Sequence, residues 1–333
     1  MELNLSTLAK HFSEEPAAWE LVEKLRWPNG PICPHCGDEG RAYFLKPRDG
    51  SRTTSTGKAT YRRLWKCKAC RKQFSVLVGT IFERSQVPLS KWLLALYLMS
   101  ASKNGVAANE LRRIVGVTQT TAWFMLHRLR EAMRQSSLES MRGTIVADET
   151  WIGGDPKRMN KSRKGDIYKL RMTPWVKDRA HSGTDKTPVL SLIEAESGQV
   201  RSQVVPRVTG ATLGKVISEQ VDMAGSVLWT DEGSWYDSLG KEFVQHNTVN
   251  HSQDEYVDWI TGASTNKLEN YFSQLKRSLD GTFHHISKEH LPRYLNEFDF
   301  RFSTRKLSDS ARMERIIDQA EGRRLTYRRV TAA

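Results

Sequence analysis

TIVADETWI, residues 144–152, decides how the second half of this chain reads. Thr144, Ile145, Val146, Trp151 and Ile152 favour extended backbone, and two acids, Asp148 and Glu149, interrupt them. Side chains alternate along a strand, so the two acids must point to opposite faces. Asp148 shares a face with Val146 and is the candidate to face a site.

Downstream, PVLSLIEAE (188–196), QVRSQVVP (199–206) and SVLWT (226–230) are further strand candidates, with helix candidates at 211–222, 264–279 and 288–303. Three strands, a helix, a fourth strand and more helix predict a mixed sheet in an α/β domain. Asp231 follows the apolar VLW and opens the loop DEGSW at a strand's carboxyl end, where ligands gather in such sheets; Glu232 competes with it locally. In STNKLENYFSQLKRSL (264–279), Leu268, Phe272, Leu275 and Leu279 form an apolar stripe, and Asn266, Glu269, Ser273 and Lys276 occupy the other face. Glu269 and Lys276 are two helical turns apart and so share a side. Phosphoryl transfer by two divalent ions needs converging acids, and hard ions such as Mg2+ or Mn2+ take carboxylate oxygens. Asp148, Asp231 and Glu269 are therefore the candidate ligands, with Asn266 a rival for the third place and Lys276 placed to hold a phosphate.

Upstream the chain carries its four cysteines as CPHC (Cys33, Cys36) and CKAC (Cys67, Cys70). Two such knuckles fit a tetrahedral four-cysteine zinc site, with residues 41–64 between them read as a β-hairpin with a loose tip. His35 lies inside the first knuckle, but four thiolates already fill the site. Ahead of them, Trp19, Leu21, Val22 and Leu25 mark a short helix before the breaker run Pro28–Pro31.

Helical periodicity returns at Ser90. In GVAANELRRIVGVTQTTAWFMLHRLREAM (105–133), a short helix, a turn at Gly116 and a helix capped by Thr118 have the layout of a helix-turn-helix. Gln119, Thr120 and Thr121 would meet base edges or phosphates, with Arg112, Arg113, Arg128 and Arg130 along the flanks. A plain αα-hairpin has the same pattern.

A formal charge of +13, from 51 Lys+Arg against 38 Asp+Glu, makes nucleic acid the first partner to consider. The apolar run Trp92–Met99 is far shorter than a spanning helix needs, and the start MELNLSTLAKHFSEE lacks a signal-peptide core. No membrane role and a cytoplasmic, nucleoid-associated location are expected. Residues 155–186 hold ten Lys/Arg against four acids. Lys161, Arg163 and Lys164 there, with Lys276 and Arg277, are candidates to track a DNA backbone.

The motifs DETWIGG (148–154), WTDEGSWY (229–236), TVNHS (248–252), TNKLENYFSQLKR (265–277), GTFHHIS (281–287) and LPRYLNEFDFRF (291–302) together resemble bacterial insertion-sequence DDE transposases. RWPNGPICPHCG (26–37), CKACRKQFSVLVGTIF (67–82) and AWFMLHRLR (122–130) extend the likeness to the branch with an N-terminal zinc ribbon and helix-turn-helix, the ISXO-like transposases. The resemblance implies an RNase H-like catalytic sheet with Asp148 on its first strand, Asp231 after its fourth and the third ligand on the helix from Thr265. It also implies cleavage and strand transfer on double-stranded DNA by a homodimer or larger assembly. His284 and His285 fall in a pattern of the family and would lie near DNA or the site. The expected division is a lead-in helix and zinc ribbon (1–84), a helix-turn-helix domain (85–140), the catalytic domain (141–305, with the basic insertion 155–186) and a basic tail (306–333). A nuclease without strand transfer and a DNA-binding regulator with an inactive domain are the alternatives.

Overall fold

The computed structural model describes residues 13–46, 52–53, 59–135, 139–153, 186–231, 233–249 and 264–331, with Ser6 and Ala9. The chain divides into two compact units, Met1–Arg134 with Arg305–Ala333, and Gln135–Thr304.

In the first unit, α1 (Glu15–Arg26) starts with a proline in its first turn and buries Ala17, Ala18, Trp19 and Val22. β1 (Ala42–Phe44), the small antiparallel pair β2 (Arg52–Thr53) and β3 (Ala59–Thr60), β4 (Trp65–Cys67) and β5 (Gln73–Phe74) follow. β1, β4 and β5 make a three-stranded antiparallel sheet, with Ala42 opposite Cys67. The apolar run becomes α2 (Leu89–Ala101), which buries Trp92, Leu93, Leu96 and Met99. No side chain of its own caps it. Instead the Glu15 carboxylate accepts the Leu89 and Ser90 N–H groups at 2.7 and 2.9 Å, as the exposed donors of a helix start require. α3 (Ala108–Val115) stops at Gly116, whose φ of +68° is the left-handed conformation glycine tolerates. α4 (Gln119–Met133) begins at Thr118, whose hydroxyl accepts the Thr121 N–H. Among the described residues no helix is long and apolar enough to cross a membrane.

The second unit is built on β6 (Met141–Ile152). β7 (Thr187–Glu194) and β8 (Val200–Val204) add antiparallel on one side; α5 (Gly210–Gln220) leads into β9 (Val221–Thr230), which pairs parallel with β6 on the other. β10 (Gln245–Thr248) completes a sheet of order β10-β9-β6-β7-β8. The mixed sheet agrees with the expected pattern and adds β10 to it; Gln-His-Asn-Thr has no apolar alternation to mark it as a strand and lies at an edge. The helix expected to reach 222 ends at Gln220, and Val221 already pairs with Met141 as strand.

Alternation along β6 separates two cores. Ile145 and Ala147 pack with Leu213, Val216 and Ile217 of α5 on one face. Val146 and Ile152 pack on the other with Leu268, Tyr271, Phe272 and Leu275 of α6 (Asn266–Ser278) and with Leu295 and Phe298 of α7 (Leu291–Ser303). Truncating a fully buried stripe residue such as Leu275 to alanine would cost roughly 2–5 kcal/mol. Asp299 of α7 crosses this layer, accepting the Ser202 N–H, the Ser202 hydroxyl and the Tyr271 hydroxyl at 2.8, 2.7 and 2.6 Å. Burial still pushes its carboxyl up to about 7.

The chain then returns to the first unit as α8 (Asp309–Asp318) and α9 (Tyr327–Thr331). This corrects the basic tail expected over 306–333. Met313, Ile316, Ile317 and Ala320 form a buried stripe at helical spacing that the surrounding arginines disguise.

Candidate active site and metal centres

Val146 of β6 lies beside Trp229 of β9 in parallel register. Carried two residues on, that register brings Asp148 level with Asp231, at the carboxyl end of β9. Asp148 lies on the face of the sheet covered by α6, the helix that carries Glu269. Burial pushes the Asp148 carboxyl up to about 7, and the charges of Asp231, Glu149 and Glu269 push the same way. Asp148, on a strand, thus feels a carboxylate from a loop and one from a helix. Such a concentration of negative charge suits a hard divalent cation, which would favour the ionised forms.

Glu149 points to the other face, as alternation requires. Its carboxylate accepts the hydroxyl of Tyr236, a side chain with no exposed surface, from the short helical turn Ser234–Tyr236 after Asp231. This bond ties the strand of Asp148 to the loop of Asp231. The loop is held further by the Gly233 N–H, which donates to Asp231 Oδ1 at 3.1 Å. A Cβ on Gly233 would stand 2.6 Å from Trp235 Nε1 and 3.1 Å from Asp231 Oδ1, so only glycine fits. Sequence reasoning passed over Tyr236 and Gly233, although both stand in the quoted WTDEGSWY.

On α6, Glu269, Asn266, Lys276 and Arg277 are all exposed, and the Thr265 hydroxyl donates to Glu269 Oε1 at 3.4 Å. Glu269 acts on Asp148 through its charge, which the neutral Asn266 cannot do. Beyond α6 a single π-turn, Leu279–Phe283, ends at His284 with φ +57°, and His284 and His285 are both exposed. Lys161, Arg163, Lys164 and Glu232 lie outside the described residues.

The four thiols are drawn together more tightly. Cys33 Sγ lies 3.6 Å from Cys70 Sγ and Cys36 Sγ 3.8 Å from Cys67 Sγ, close to the ~3.8 Å edge of a tetrahedron with Zn–S near 2.3 Å. The Lys72 backbone N–H favours the Cys70 thiolate, whose value falls to about 7. Among the described residues these are the one group of three or more His, Cys, Asp or Glu whose ligand atoms all lie within 4.8 Å of one another. The donor set and its spacing fit structural zinc.

In the α3–α4 pair, Gln119 and Thr120 are exposed and Thr121 half-buried at the start of α4. Arg128 and Arg130 depart from the expected flank and are interior side chains, 5% and 0% exposed. Arg128 donates to the Glu83 carbonyl at 2.5 Å, and its guanidinium lies over the rings of Phe124 and Trp92. They stand among Met125, Leu126 and Leu129 on a helix buried nearly all round by its third turn.

Comparison with known proteins agrees with this layout. Residues 140–303 match the ISXO2-like transposase domain and residues 13–73 the transposase zinc-ribbon domain. An uncharacterized protein in transposable element ISH50 of Halobacterium salinarum is 25% identical over 313 residues, 93% of this chain and 98% of that protein. An uncharacterized transposase-like protein of Haemophilus influenzae is 34% identical over 111 residues, 33% of this chain and 85% of that protein. Among solved structures, a chain of a simian T-cell lymphotropic virus intasome complex aligns over 62% of this chain and 67% of its own length, at 14% identity and a TM-score of 0.26, too low to bear on the fold. A transposase zinc ribbon ahead of a transposase domain built on a mixed sheet defines the class as an insertion-sequence transposase. The chain belongs to the ISXO2-like transposase family.

Proposed function

We propose that this chain cuts the ends of its element and joins them to target DNA, with Asp148, Asp231 and Glu269 holding two divalent cations. The observation that carries this reading is the parallel register of Val146 with Trp229, which carried two residues on sets Asp148 level with Asp231 just past β9, with the charge of Glu269 reaching Asp148 from the covering helix. Mg2+ or Mn2+ held there would activate the attacking oxygen and neutralise the leaving one. In the first step a water oxygen bonds to phosphorus while the P–O3′ bond breaks, leaving a 3′-hydroxyl and a 5′-phosphate. In the second that hydroxyl attacks a target phosphodiester, whose own P–O3′ bond breaks. One bond forms for each broken, so no energy source is required.

The remaining residues bind and orient. Lys276 and Arg277, on the exposed face of α6, hold phosphates near the scissile bond, and Lys161, Arg163 and Lys164 of the basic insertion track the backbone. Gln119, Thr120 and Thr121 at the start of α4 read the element end as a recognition helix does. Joining two ends calls for at least a dimer on DNA. The test is incubation of the purified protein with duplexes of the element's own ends, a plasmid target and Mg2+. Joined product is expected; cleavage without joining would mean a nuclease, and neither activity an inactive DNA-binding relic.

A further inference from the structure

Beside the start of α4 the first unit has a cleft of about 560 Å3, walled by residues 83–88, by the first turns of α4 and by the C-terminal segment 324–327. Arg84, Lys91, Arg128 and Arg324 line it against a single carboxylate, Glu83. Glu83 pairs with Arg324 at 3.3 Å and reaches Arg84 at 3.8 Å. Arg128 donates to the Glu83 backbone carbonyl and lies over the rings of Phe124 and Trp92, forms no ion pair with the Glu83 carboxylate, and its Nε, buried in the wall, has no hydrogen-bond partner among the described residues. The Thr118, Thr120 and Thr121 side chains complete the rim.

A buried guanidinium without a paired carboxylate is costly, and two guanidiniums at one cleft repel each other. An anion would relieve both. We propose that the cleft seats a backbone phosphodiester of duplex DNA, with Arg128 at its floor and Arg324 closing it from the C-terminal segment. A guanidinium meets a phosphate with two parallel N–H donors, and a phosphate fixed here would set how the first turn of α4 enters the neighbouring groove. The C-terminal segment thereby becomes part of the DNA-binding surface rather than a tail. This inference rests on the duplex-binding reading of α4 above.

The experiment is duplex binding by fluorescence anisotropy across a salt series, with element-end and unrelated duplexes. Arg324→Gln is expected to weaken binding to both duplexes about tenfold and to lower the slope of log K against log salt by about 0.9, the signature of one lost phosphate contact. Arg324→Lys should keep the slope. Arg84→Gln, at a side chain 80% exposed, should move both readings the same way and carries the test if Arg324→Gln does not fold. Lys24→Gln, on exposed α1 surface outside the cleft, should leave both unchanged. Unaltered affinity and slope in the folded cleft variants would overturn the inference, as would an equal loss from Lys24→Gln. A wild-type chain that binds no duplex would instead contradict the underlying reading of α4.

Discussion

The four thiols and the three carboxylates proposed as metal ligands would hold cations by opposite means. Cys33 and Cys36 come from one knuckle and Cys67 and Cys70 from another, and all four sulfurs gather within 4.8 Å. Asp148, Asp231 and Glu269 come from a strand, a loop and a helix, and the charges of the latter two reach Asp148 without the close packing of the four sulfurs. Four soft ligands complete a tetrahedron and leave no place for a substrate, which suits a structural ion. Three hard ligands leave positions open, which suits a reacting phosphate. The contrast teaches that one site is made by local turns, whereas the other exists only once the sheet and its covering helix are in register.

The largest effect expected from this contrast is at the ribbon. Replacing Cys67 and Cys70 together with serine should remove about one zinc per chain and unfold the ribbon, because such a module folds around its metal. Elemental analysis and circular dichroism would check it, and unchanged zinc content would break the comparison. A smaller effect is expected at the carboxylates, where Tyr236→Phe removes the bond that ties the Asp148 strand to the Asp231 loop. Mn2+ affinity, read by titration, should fall about 10- to 100-fold with little change in Tm, the usual cost of losing a group that positions metal ligands. The smallest concerns Asp299, an acid that burial raises as far as Asp148 but that is enclosed by hydrogen bonds away from the site. Its folded value, about 7, lies above the ordinary ~4, so the folded state holds a proton that the unfolded state releases between those values. Its contribution to stability therefore falls as pH rises from about 4 to about 7. Asp299→Asn should flatten the corresponding slope of Tm against pH, and an unchanged slope would contradict the assignment.

Much of this was legible in the residues. The knuckles declare themselves by spacing, and alternation alone put Asp148 and Glu149 on opposite faces and Asp148 with Val146. What escaped was non-local. Nothing around Tyr236 announces that its hydroxyl meets Glu149, 87 residues away. Arg128 reads as a surface cation because arginine usually is one, and only the folded unit shows its guanidinium over the rings of Phe124 and Trp92. The stripe of α8 is hidden by the arginines around it, and polar β10 is a strand only because β9 offers an open parallel edge.

If Asp148 and Asp231 hold the cations for DNA cleavage, Asp231→Asn should separate cleavage from binding. With the element's end duplex and Mg2+, cleavage should fall at least about 10³-fold, the loss of several kcal/mol of charge stabilisation, while duplex affinity stays within about twofold of wild type. Cleavage at the wild-type rate in this variant would contradict the account.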